Sequence, residues 1–184
     1  MPRKTTSPTV RQIASIAILA AAGVVVYVFE GLLPRPLPWV RPGLANVVTL
    51  VALELLGVWP AAIVALLRIV LSALLLGTFG NVAFLFSATG GACALAGMAG
   101  AHRWFKPPLS LVGVGLVGAF CHATGQLAVA WAFLVRSTAV FAIASSLLLS
   151  AALAGLVVGL AAQTTVKGLA RVSGSPETGP TAKG

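Results

Sequence analysis

Between residues 13 and 162 the chain is one apolar run after another, separated only by clusters of proline, glycine or a few basic residues. A run of about 20 apolar residues crosses the hydrocarbon core of a bilayer as an α-helix. The helix is also a form that satisfies its own backbone hydrogen bonds there. Charge points the same way. Only 8% of the 184 residues are charged, against about 25% in soluble domains, too few to coat a surface facing water. A hydrophobic content of 59% excludes disorder for most of the chain, because disorder requires low hydrophobicity. The expected fold class is therefore an all-α integral membrane protein.

Breaks between the runs divide it further. Residues 1–12 form a basic N-terminus, residues 13–163 a transmembrane domain, and residues 164–184 a polar tail expected to be disordered. Six transmembrane helices are predicted, at 13–33, 43–58, 61–77, 82–101, 109–135 and 138–162. The first run follows a basic start, as a signal peptide would, but its length of about 20 residues favours a retained helix. Residues 34–42 carry four prolines and form a stiff loop in which Trp39 is placed as an interfacial anchor. Trp59-Pro60 is the expected break between the second and third helices. Gly77 to Asn81 is a turn cluster, and His102 to Pro108 a basic, aromatic loop.

Twelve Lys or Arg stand against three Asp or Glu, a net charge of +9. With six spans both termini share a side. That side holds Arg3, Lys4, Arg11, Arg103, Lys106, Lys167, Arg171 and Lys183, whereas the other holds Arg35, Arg41 and Arg136. Positive residues mark the cytoplasmic side, so both termini are expected in the cytoplasm of a multi-pass protein of the cell inner (plasma) membrane. The basic excess then meets anionic lipid headgroups; nucleic acid is not an expected partner.

The sequence excludes several chemistries. It has no aspartate, so it cannot alone supply the aspartate-rich magnesium site of a polyprenyl synthase. It lacks a Walker A loop, a dinucleotide fingerprint, a zinc-protease motif and a nucleophile elbow. Cys93 and Cys121 lie within apolar runs, as small buried thiols do. No catalytic residue, cofactor or metal is expected.

Polar residues within the spans carry the functional question, because ionisable groups in a bilayer are costly and face the protein interior. Arg68 lies near the middle of the third helix, with Ser72 one turn further on the same face. Folding the second helix onto the third brings Asn46 and Thr49 to about the depth of Arg68. Glu54 lies nearer the cytoplasmic end, within reach of a long Arg side chain. Arg68 either pairs with Glu54 or meets an anionic or carbonyl-bearing substrate, and both readings stand. His122 and Gln126 share a face of the fifth helix with Gly118 and Ala130, either as hydrogen-bonded structure or as a polar cavity wall. Glu30 and Arg35 form an expected interfacial pair. Small-residue stripes at Ala17 and Ala21, at Thr89, Cys93, Gly97 and Ala101, and at Ala151, Gly155 and Gly159 suit either packing within the bundle or docking to another membrane subunit.

The stretch from Pro36 to Leu50, with Gly43-Leu44-Ala45-Asn46 at its centre, resembles the signature of the Gx transporter family, also labelled heptaprenyl diphosphate synthase component I. Leu67 to Ser72, Gly77-Thr78-Phe79, Ser87 to Gly91 and His122 to Gln126 continue the likeness, which covers roughly residues 13–165. Members look like the S components of energy-coupling factor (ECF) transporters. That resemblance implies an ECF S-component-like bundle holding a small-molecule substrate near the outer face. The loop with Pro38, Trp39 and Arg41 would be the lid. Asn46, Thr49, Arg68, Ser72, His122 and Gln126 would be substrate-binding candidates, and Ala17 with Ala21 a docking face for a transmembrane coupling subunit, with ATPase subunits in trans. The first functional expectation is a substrate-binding subunit of an uptake transporter for an isoprenoid-, quinone- or vitamin-like molecule. The alternative is a non-catalytic membrane partner of a prenyl diphosphate synthase or quinone-pathway enzyme. A self-contained channel or permease is a third possibility.

Overall fold

The computed structural model describes residues 9–32, 43–105, 109–134 and 140–172. Among these residues the fold is all-helical: α1 Val10–Glu30, α2 Asn46–Leu56, α3 Val58–Leu75, α4 Val82–Phe105, α5 Leu111–Val129 and α6 Val140–Val172, with a π-helical turn at Ala130–Leu134 prolonging α5. Five helical segments are long and apolar enough to cross a membrane, and α2 is a shorter apolar helix. The chain is thus a multi-pass membrane protein by length and composition. The lid-loop residues Pro38, Trp39 and Arg41, and Arg35, lie outside the described residues.

The shortness of α2 has a local cause. The break after it falls at Gly57, not at Trp59-Pro60 as expected. Gly57 adopts φ 90°, ψ −178°, a conformation that only glycine tolerates freely. Pro60 instead lies inside the first turn of α3, where its missing N–H has no intrahelical partner to lose. The return at Gly57 sets Asn46 and Arg68 equally far from the bend along the chain.

An apolar helix without a polar face is covered by protein or by lipid. In α2, Asn46 and every residue from Val48 to Leu53 are buried, and the helix touches each of the other five. Leu50, Val51, Ala52 and Leu53 form a core with Ala61, Val64, Ala94, Met98, Val114 and Val158. The longer helices surround it, with α4 on α5 and α5 on α6 as the most extensive pairs and α1 on α3 opposite them.

Those extensive pairs settle the stripes of α4 and α6 as internal packing. A Cβ on Gly159 would lie 2.5 Å from the Val112 Cα, and one on Gly115 2.8 Å from the Gly159 Cα. These backbones approach as closely as only glycine permits. A Cβ on Gly97 would collide with the Cys121 Sγ, so the α4 stripe packs on α5. In contrast, Ala17 and Ala21 are exposed on the outer face of α1.

Two boundaries differ from expectation. Residues His102 to Phe105 belong to α4 rather than to a loop. The tail expected from residue 164 is helical to Val172. There the Thr164 and Thr165 hydroxyls donate to carbonyls of the preceding turn, Val166 packs against the core, and Arg171 sits in the last turn, where a cation favours the helix dipole. The turn cluster is as expected: Gly77 and Gly80 take positive φ, and the Asn81 side chain caps α4 by accepting from the Phe84 N–H at 3.0 Å.

Candidate functional site

Arg68, Asn46, His122 and Gln126 come from three helices and form a continuous buried chain of contacts. The Arg68 Nη2 donates to the Asn46 Oδ1 at 3.1 Å. The Asn46 Nδ2 lies 3.2 Å from the His122 Nδ1, and the Gln126 Nε2 lies 3.0 Å from the His122 Nε2. Each of the four side chains is at least 95% buried. Buried polar groups are costly unless hydrogen-bonded, and this chain of contacts is how the bundle meets that cost.

The donor and acceptor roles follow from one end. A guanidinium only donates, so the Asn46 oxygen must face Arg68 and its NH2 must face His122. The His122 Nδ1 therefore accepts, and the ring is the neutral tautomer with its hydrogen on Nε2. The Gly90 carbonyl accepts from the ring, and the Gln126 Oε1 has no partner among the described residues.

Glycines make room for these large polar groups. A Cβ on Gly23 of α1 would lie 2.8 Å from the Arg68 Cδ, one on Gly91 2.8 Å from the Ile69 Cδ1, and one on Gly90 2.7 Å from the His122 Cε1. Gly43, at φ 80°, would bring a Cβ within 3.0 Å of the same ring. The paired glycines at 90–91 are the sequence signal for this packing.

Glu30 is a member of the centre that the sequence reading placed at the surface. It is 2% exposed. Its Oε1 accepts from the Gly43 N–H at 2.6 Å and its Oε2 from the Ala45 N–H at 3.2 Å. The carboxylate thus meets the free donors at the entry to α2, where negative charge is favoured. Tyr27, Glu30, Gly43, Arg68, Ser87, His122 and Gln126 line a common cavity whose space for the centre of a water molecule is about 10 Å³. That is room for about one water-sized group.

The Glu54–Arg68 pair, one of the two alternatives for Arg68, is not formed. Glu54 faces His102, with Oε2 and Nε2 3.0 Å apart, while Arg68 bonds to Asn46. Glu54 lies too close to the Gly57 bend to share the depth of Arg68. Thr49 and Ser72 are buried, but neither lines the cavity, and their hydroxyls have no partner among the described residues. Gly118, on the face of His122, packs against Met98.

Membrane-length helices closed around a hydrogen-bonded polar centre define a multi-pass helical membrane protein with a built interior site. The chain belongs to the heptaprenyl diphosphate synthase component I family, whose match runs over residues 19–165, well over half of its length. No curated protein and no solved structure matches it. The likeness to energy-coupling factor S components has no counterpart in these comparisons.

Proposed function

We propose that this chain is the membrane-embedded, non-catalytic component of a prenyl diphosphate synthase system. The supporting observation is the family match over residues 19–165, which spans α2 to α5 and most of α1 and α6. The family description names one component of a synthase. A chain without aspartate has to leave metal-dependent prenyl transfer to a separate catalytic subunit. On this reading all six helices lie in the cell inner membrane and both termini face the cytoplasm, where a soluble partner can reach them.

Co-expression with a soluble prenyl diphosphate synthase tests the assignment. The synthase is expected to copurify with the tagged membrane chain and to lose most long-chain product when the chain is withheld. Unchanged product without the chain, and no copurification, would overturn it.

A second reading, a substrate-binding subunit of an uptake transporter, is favoured by the buried polar centre and by the outward-facing Ala17 and Ala21. It requires a transmembrane coupling subunit and ATPases in trans. Their retention by the chain in mild detergent supports this role, and a chain that stays alone with those partners expressed counts against it.

A further inference from the structure

We infer that the buried centre is a binding site for one internal water, which bridges the Arg68 guanidinium on α3 to the Gln126 amide on α5. The site goes beyond both functional readings and is the same whichever of them applies.

The first argument is the pair of groups that the network leaves over. The Arg68 Nε and the Gln126 Oε1 have no hydrogen-bond partner among the described residues. Each side chain is 2% exposed, and both line the same cavity. A guanidinium N–H only donates, and an amide oxygen only accepts. Leaving either unpaired in the interior costs the desolvation of that group. One occupant shared between them removes both costs. The hydroxyls of Thr49 and Ser72, also unpaired among the described residues, do not line this cavity.

The second argument is size. The cavity offers about 10 Å³ to the centre of a water molecule, about what a single water needs. An occupant of that size fits with the helices where they stand.

The third argument is the chemistry of the occupant. It must accept from the Arg68 Nε and donate to the Gln126 Oε1. A halide only accepts, and an ammonium ion only donates. A metal cation would lie against the charge of the guanidinium. Water both accepts and donates with one heavy atom. Buried waters make about three hydrogen bonds. The Ser87 hydroxyl lines the same cavity and can take either role, so a third partner is at hand.

The bridge closes a ring. Arg68 meets Asn46, Asn46 meets His122, and His122 meets Gln126; the water joins Gln126 back to Arg68. α3 and α5 have little direct contact with each other, and α4 packs against both. The water therefore ties together two helices that apolar packing leaves apart.

The test is nuclear magnetic resonance on the full, isotope-labelled chain in detergent micelles, with the Arg68 side chain assigned through its backbone. A rotating-frame cross-peak between water and the Arg68 Nε–H is expected, with the sign of dipolar contact, which is opposite to that of chemical exchange. Gln126→Met keeps a side chain of similar length, removes the acceptor, and is expected to abolish the cross-peak. The wild-type spectrum decides the matter even where Gln126→Met does not fold. A wild-type chain with no cross-peak at the Arg68 Nε–H, or with one of exchange sign alone, would overturn the inference. So would a dipolar cross-peak that persists unchanged in folded Gln126→Met.

Discussion

His122 and His102, the two histidines of the chain, both reach partners on other helices, yet their surroundings differ in kind. His122 is buried on α5, held between the amides of Asn46 and Gln126 and packed against Gly43 and Gly90. His102 lies in the last turn of α4 and meets the carboxylate of Glu54 with about a third of its side chain exposed. The pair at the end of the bundle can exchange its contact for water. The centre cannot, so each of its members depends on the next. The difference teaches that residue type alone does not mark a site here; burial and the length of the connected network do.

The severest way to break this contrast is Arg68→Ala. It removes the charge opposite Glu30 and the donor to Asn46, and should lower unfolding stability by about 3 kcal/mol, the scale for breaking a buried charged network. Thermal unfolding in detergent would show it as a large fall in Tm. A fall no greater than that of an exposed substitution would mean that Arg68 is not held as described.

Gly90→Ala is a subtler intrusion, because its methyl would sit 2.7 Å from the His122 Cε1. The ring must shift, at about 1–3 kcal/mol, and the same substitution at Gly168, with open space around it, serves as the control. Denaturant titration of both variants checks the difference.

Glu54→Gln probes the other histidine. A part-exposed polar contact of this kind is worth about 1 kcal/mol or less, so this variant should unfold within that margin of the wild type. A loss as large as that of Arg68→Ala would remove the distinction between the two regions. Smallest of all, Ala17→Leu on the outer face of α1 should change stability by under about 0.5 kcal/mol. Its consequence, if α1 docks a membrane partner, is reduced copurification of that partner.

Much of the centre was legible in the sequence because depth is nearly one-dimensional. Rise per residue and the approximate position of a bend place Asn46 beside Arg68, and four-residue spacing places Gln126 beside His122. Glu30 escaped that reasoning, since a lone acid at a helix end reads as interfacial. Its capture by the Gly43 and Ala45 N–H groups depends on how α2 re-enters the bundle. The choice between Glu54 and other partners for Arg68 stayed open in the sequence, because reach alone does not rank them: Arg68 has a nearer acceptor in Asn46, and Glu54 meets His102.

Sequence by itself thus determined the solvent, the helical class and the approximate level of Asn46, Arg68, His122 and Gln126, because hydropathy and helix rise are local properties of a chain. The tertiary structure decided which groups at one level touch, which glycine makes the bend, and that Glu30 lines the same cavity as Arg68. Those outcomes rest on the rotation of each helix about its axis and on backbone approach, which are set only when the other five helices pack around α2.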